Sequence, residues 1–155
     1  MSQEDELEGI VRTATEELLS RLGAAFSNQE GWSRQLRAVA YELRDFLVED
    51  EERARAMILD APHGTPQTRR LRGQAVEALA GLIDLGRGEH SDPAGVSRSA
   101  ADITAGVVYN RIHAAVETGV ETLDEELVRE LMFSAVLPYR GLEAALAELE
   151  QPRPS

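Results

Sequence analysis

A small group of polar side chains lies on one otherwise apolar helix in the last third of the chain. Tyr109, Asn110 and His113 place a hydroxyl, an amide and an imidazole within about one helical turn. Such groups orient ligands in mostly apolar cavities. They also occur as hydrogen-bonded core histidines and as polar contacts at interfaces. The sequence leaves both interpretations open.

The sequence contains few residues arranged for metal binding or covalent catalysis. Glu117 follows His113 by four residues, so the two side chains share a helical face and could share a metal. No further ligand has a matching spacing, and no metal or cofactor is predicted. The chain has no Cys, which excludes disulfides and thiolate catalysis. It also lacks nucleotide-binding glycine patterns, an H-E-x-x-H motif and a nucleophile elbow, so we predict a protein without enzymatic activity.

Composition narrows the possible partners. The length of 155 residues predicts one domain. The net charge of −12 argues against a protein that binds nucleic acid by itself and against one that binds anionic membranes. No apolar run reaches the roughly 20 residues that span a bilayer. The acidic N-terminus does not resemble a signal peptide, so a cytoplasmic protein is predicted. The cluster of Arg69, Arg70 and Arg72 is interpreted as a solvated helix face.

Apolar residues recur at spacings of three and four along the whole chain, which predicts an all-α fold of six to seven antiparallel helices. Residues 1–155 form one helical regulatory domain in this prediction, with disordered tails at 1–3 and 151–155. Four helix starts are marked by capping residues: Ser2, Ser27 with Glu30, Thr65 before Pro66, and Thr122 with Glu125.

The last two long helices, Ala101–Gly119 and Thr122–Leu137, carry apolar residues on two sides. On the first of them, Ile103, Val107 and Ala114 form a narrow second face beside the broad one. Such a helix needs cover from two directions. The cover comes either from other helices of a large monomeric bundle or from a second copy in an intersubunit four-helix bundle. The residues predicted for the subunit interface are Val108, Ile112, Ala115, Leu131, Ala135 and Tyr139.

Several stretches resemble the C-terminal regulatory region of TetR-family transcriptional repressors. They are the helical turn Gly106-Val107-Val108-Tyr109, the following Ile112-His113-Ala114, and the ending Leu137-Pro138-Tyr139-Arg140-Gly141-Leu142-Glu143-Ala144-Ala145. Residues 31–55 are similar to the central helices of that family. The resemblance covers essentially the whole chain.

The resemblance implies a homodimer through the last two helices and a pocket for a small apolar or amphipathic ligand in the helices before them. Tyr41 is a further candidate, either as a pocket hydroxyl or as an aromatic side chain with a solvated tip. The residues predicted to bind the ligand are Tyr41, Leu79, Ile83, Tyr109, Asn110 and His113.

The chain departs from the family at its start. A complete TetR-family member begins with a basic three-helix DNA-binding module, whereas this acidic chain begins where that module would end. We therefore expect a ligand-sensing dimerisation domain that does not itself bind DNA. The main alternative is a dimeric helical scaffold without a ligand, and a small helical enzyme ranks behind both.

Overall fold

The computed structural model describes residues 1–155 and is all-helical, with six α-helices and no β-strand. The all-α prediction and the lower of the two predicted helix counts are confirmed. The helices are α1 Gln3–Ser27, α2 Trp32–Glu49, α3 Glu51–Arg55, α4 Pro66–Asp84, α5 Ala100–Thr118 and α6 Glu125–Glu148. A π-helical turn occupies Ala56–Asp60, and short 3₁₀ turns occupy Ala61–His63, Leu85–Glu89, Pro93–Gly95 and Val120–Thr122.

Two of the predicted helix caps are confirmed. The Ser2 hydroxyl accepts a hydrogen bond from the backbone N–H of Asp5 at 3.1 Å, and α1 begins directly after it. The Thr65 hydroxyl accepts from the N–H of Thr68 at 3.1 Å, with Pro66 at the first helical position. A cap of this kind satisfies an N–H group that the helix itself leaves unpaired.

The other two predicted caps are wrong. Ser27 is the last residue of α1, and α2 begins after Gly31, whose φ of +85° is one that glycine adopts without strain. Asp124 caps α6 instead of Thr122, because its carboxylate accepts from the Leu127 N–H at 2.9 Å. The Thr122 hydroxyl lies 3.0 Å from the carbonyl oxygen of Ala115 and so ties the link to the end of α5.

The buried side chains form two main clusters. One joins α1, α2, the segment around Met57, α5 and the start of α6. The other joins the start of α2, α4, the start of α5 and the second half of α6, with the rings of Trp32 and Tyr139 in edge contact at 5.4 Å between centroids. Helices α2, α5 and α6 contribute to both clusters, and the broad apolar face of α5 is buried between them.

Helix α6 extends past the predicted end at Leu137 and bends at Gly141, where φ is +85°. Pro138 lies inside the helix and lacks an N–H for the helical ladder. The bend directs the final turns toward α2, where the carboxylate of Glu148 accepts two hydrogen bonds from Arg37, each 2.9 Å. The backbone break at Gly141 thus aims the end of α6 at α2.

The polar connection between α4 and α5 and the C-terminal tail are both held by arginines. The Arg87 guanidinium donates to the carbonyl oxygens of Pro93, Val96 and Ser97 and so closes the connection. Arg153 forms an ion pair with Asp45, which places the tail 151–155 along α2.

Candidate functional site

Two small apolar cavities lie inside the helical core. The α6 cavity, of about 40 Å³, is bounded by α2, α4, α5 and α6. The α1 cavity, of about 60 Å³, is bounded by α1, α2, the π-helical turn, α4 and α5. Five side chains line both cavities and form a dividing wall between them: Leu43, Leu47, Leu79, Val108 and Ile112.

The polar residues of the α6 cavity are internally paired. Of its 17 lining residues, 15 are hydrophobic, and the other two are Arg44 and Asp124. Arg44 Nε donates to the carbonyl oxygen of Leu123 at 2.7 Å, and its Nη1 donates to Asp45 at 3.1 Å. Asp124 caps α6. These contacts hold the link between α5 and α6 against α2 and leave no polar side chain of this cavity without a partner.

The α1 cavity differs, because two of its polar side chains carry buried groups without a partner. Thr15 is 2% exposed, and its hydroxyl has no hydrogen-bond partner. The buried Nε of Arg72 likewise has none. The guanidinium carbon of Arg72 lies 4.1 Å from the centre of the Tyr109 ring, and the Tyr109 hydroxyl donates to the carbonyl oxygen of Ile58 at 2.9 Å. The cavity therefore combines an apolar body with two donor groups that lack acceptors.

The π-helical turn positions part of this arrangement. It contributes Met57 and Ile58 to the lining of the α1 cavity. The carbonyl of Ile58 orients Tyr109 on α5, and the ring of Tyr109 in turn supports the guanidinium of Arg72 on α4. Such bulges in otherwise helical segments are often found at functional sites.

Three of the predicted ligand-binding residues line the cavities. Leu79 lines both, Ile83 lines the α6 cavity and Tyr109 lines the α1 cavity. The other three, Tyr41, Asn110 and His113, line neither. The three polar residues of α5 that the sequence places close together are therefore separated in the structure. Tyr109 faces the α1 cavity, while Asn110 and His113 do not line it.

The geometry of a helix explains this division. Successive residues are about 100° apart around the axis, so when Tyr109 turns inward, Asn110 is exposed. His113 is half-buried, with its ring centre 6.1 Å from that of Tyr109. Tyr41 is buried beneath the C-terminal tail, with Arg153 5.6 Å from its ring, and its hydroxyl has no partner.

No group of three or more potential metal ligands occurs in the structure. His113 and Glu117 are therefore joined by no third His, Asp or Glu.

The six residues predicted for a subunit interface lie in the core of one chain. Their exposed fractions range from 1% to 8%, and four of them line the α6 cavity. A side chain covered by its own chain has no surface left for a second copy, so these positions are corrected to core residues. They are Val108, Ile112, Ala115, Leu131, Ala135 and Tyr139.

Exposed apolar side chains remain on the last two helices, both after the bend of α6, at Leu142 and Leu146, and before it. Ile103 is 65% exposed and Val107 42% exposed on α5, and Leu137 is 38% exposed on α6. An ion pair between Arg111 and Glu130 joins the two helices on this side. We call Ile103, Val107 and Leu137 the α5–α6 strip. Ile103 and Val107 belong to the narrow second face predicted from the sequence.

Sequence reasoning missed Thr15 and Arg72. The prediction of a solvated arginine cluster is wrong for Arg72, which is half-buried and shares a helical face with the lining residues Ala75, Val76 and Leu79. Thr15 shares the buried face of α1 with Val11, Leu18 and Leu22. A polar residue within an apolar stripe is the signal that would have identified both.

Comparisons of the chain with protein-family models, with curated proteins and with solved structures find no match. None of the helices has the length and apolar character that crossing a bilayer requires.

Proposed function

We propose that the chain is a small-molecule-sensing and homodimerising domain of the kind found in TetR-like transcription regulators. The observation that carries the proposal is the pair of adjoining apolar cavities between α1, α2, α4, α5 and α6. Mostly apolar cavities with a few polar groups are the usual form of ligand sites, and in helical proteins they lie between helices. The ligand is an apolar or amphipathic small molecule.

The size of the cavities adds a condition. Ligand pockets usually measure roughly 300–1,000 Å³, whereas these cavities measure about 40 and 60 Å³. A ligand of ordinary size enters only if the dividing wall moves. Since Leu43, Leu79 and Val108 belong to α2, α4 and α5, such a movement displaces three helices at once. Ligand binding would thus be coupled to a change in helix packing. The coupling free energy in such systems is typically about 1–3 kcal/mol.

The ligand-binding part of the proposal can be tested with small apolar probes. We expect 1-octanol and toluene to bind saturably and to raise the Tm of the chain, because movement of the dividing wall would join the two cavities into one apolar space. The variant Ala75→Leu fills the α1 cavity and should weaken this binding. The matched control Ala24→Leu adds the same side chain at an exposed position of α1. Absence of saturable binding by both probes would refute a ligand-sensing role.

The dimer in this proposal forms through the α5–α6 strip. Two copies that pair through this surface would place two α5 helices and two α6 helices in a four-helix bundle, the arrangement that the family resemblance implies. The strip supports this because its apolar side chains are exposed on neighbouring helices. Burial of exposed apolar surface is the main driving force of such association.

The dimer can be tested by light scattering. We expect a mass of twice the 17.0 kDa of the chain at micromolar concentration. Val107→Arg places a charge in the strip and should give a monomer. Ile10→Arg changes an apolar residue of α1 with a similar exposure, 47%, and should remain dimeric. A wild-type monomer would contradict the dimer, and equal effects of both variants would argue against the strip.

A dimeric helical scaffold without a ligand is the second candidate. The observation in its support is the small volume of the two cavities, about 40 and 60 Å³. The two candidates differ in one measurement, because a scaffold would dimerise through the same strip and yet bind neither octanol nor toluene.

A further inference from the structure

Arg72 is unlike the other half-buried arginines of the chain. It is half-buried and lines the α1 cavity, but it forms no ion pair and no hydrogen bond. The chain has 28 acidic residues for 16 arginines, so partners are not scarce. Every other half-buried arginine donates to a carboxylate or a carbonyl oxygen: Arg21, Arg37, Arg44, Arg53, Arg87 and Arg129.

The contact that Arg72 does make leaves its hydrogen-bonding capacity unused. The face of the guanidinium lies near the Tyr109 ring, which gives a cation–π attraction. The N–H groups of a guanidinium point outward in its plane, so a ring against its face satisfies none of them. These donors form a planar fork that fits a carboxylate through two parallel hydrogen bonds.

Thr15 supplies a second, independent observation in the same cavity. Its side chain is almost completely buried, yet its hydroxyl has no partner. A buried polar group without a hydrogen bond is destabilising and is uncommon in folded proteins. No acidic residue lines the α1 cavity, so nothing there repels an anion. An uncharged apolar ligand would leave both the Thr15 hydroxyl and the Arg72 Nε unpaired.

We infer that the α1 cavity selects a small amphipathic carboxylate, whose carboxylate binds Arg72 and accepts from Thr15 while its hydrocarbon body occupies the apolar space that opens when the dividing wall moves. This inference rests on the proposed ligand-binding function and names the class of ligand. Tyr109 acts as a positioning residue: its bond to Ile58 fixes the ring that holds the guanidinium in place.

Calorimetry with octanoate and 1-octanol tests the inference, because the two probes have the same chain length and differ in the head group. We expect octanoate to bind at least about tenfold more tightly than octanol, as a charge-assisted hydrogen bond requires. Arg72→Gln should remove most of this preference and leave octanol binding within about twofold of wild type. Arg70→Gln removes an exposed, unpaired arginine of the same helix and should change neither affinity.

The outcomes separate this inference from the proposed function. If octanol and octanoate bind equally well, the carboxylate inference fails while the ligand site stands. If Arg70→Gln reduces octanoate binding as much as Arg72→Gln, the preference comes from general surface charge and the inference again fails. If neither probe binds, both the inference and the sensing function are refuted.

A measurement on the wild-type chain avoids the risk that Arg72→Gln fails to fold. The carboxyl carbon of ¹³C-labelled octanoate can be followed by NMR as the pH is lowered. An adjacent guanidinium favours the ionised form, so we expect bound octanoate to protonate at a lower pH than free octanoate. An unchanged or higher value would overturn the inference.

Discussion

The region around Trp32 and the region around the α1 cavity share helices, but they differ in whether their buried polar groups have hydrogen-bond partners. The indole N–H of Trp32 donates to the carbonyl oxygen of Leu82 at 3.0 Å. Nearby, Arg37 and Glu148 are paired through two hydrogen bonds. Around the α1 cavity, by contrast, Thr15 and Arg72 have no such partners.

The two regions also differ in packing, which is closer around Trp32 than around the α1 cavity. At Gly86, an added Cβ would lie only 2.4 Å from the ring of Trp32, so the indole fills the space completely. The α1 cavity leaves about 60 Å³ unfilled. A closely packed, fully paired region has one stable arrangement, whereas unfilled volume and unpaired donors allow rearrangement when a ligand supplies the missing contacts. The first region is therefore expected to govern stability and the second to govern binding.

The largest expected effect comes from the Arg37–Glu148 pair. Glu148 is 4% exposed, and Glu148→Gln leaves a buried guanidinium without its counter-charge. We expect the free energy of unfolding to fall by about 3 kcal/mol, measured by urea denaturation. The control Glu8→Gln breaks the surface pair with Arg12 and should change it by less than about 0.5 kcal/mol. Similar losses of unfolding free energy in both variants would contradict the stabilising role expected for the region around Trp32.

A smaller effect is expected at the dividing wall. Leu79→Ala removes a side chain that lines both cavities and should lower the free energy of unfolding by about 2 kcal/mol. It should also tighten the binding of 1-octanol, because the two cavities become one. The control Leu142→Ala truncates an exposed leucine and should affect neither quantity strongly. Weaker octanol binding in Leu79→Ala would contradict the assignment of the wall.

The smallest effect concerns Tyr139. Burial, together with the carboxylate of Asp84, raises the pKa of Tyr139 to about 12. An unfolded tyrosine has a pKa near 10. The neutral form is thus favoured in the folded chain, so this contribution to stability is complete below pH 10 and is lost as the pH rises through about 12.

Between pH 10 and 11 the wild type should lose more stability than Tyr139→Phe, by under about 1 kcal/mol at pH 10.5. Urea denaturation across this range measures the difference, and absorbance at the wavelength of tyrosinate follows the ionisation directly. Parallel stability curves for the two proteins would show that Tyr139 is not protected by the packed region.

Some of these features follow from local sequence and others do not. Ser2 and Thr65 are recognisable as caps because each needs only a neighbour three residues away. Thr122 and Asp124 are both suitable caps for α6, and the choice depends on the carbonyl of Ala115, which lies on another helix. The broad face of α5 was predicted to be buried, but the identity of its cover depends on how α1, α2, α4 and α6 pack around it.

The site shows the same limit. The apolar stripes of α1 and α4 indicate that Thr15 and Arg72 lie on inward faces, but only their shared cavity shows that both lack partners. Asn110 and His113 were attractive in sequence because they follow Tyr109 closely, yet a helix directs adjacent residues to different sides.

The sequence by itself determined that the chain is all-helical, where most helices lie and that it carries no cysteine, since periodicity, local capping and composition need no distant partner. Only the tertiary structure decided that Val108, Ile112 and Leu131 are core residues and that Ile103 and Val107 are left exposed. It also decided that Arg72 faces a cavity without an acidic neighbour. These outcomes depend on which helices meet, and the free energy of packing depends on the shapes of several side chains at once.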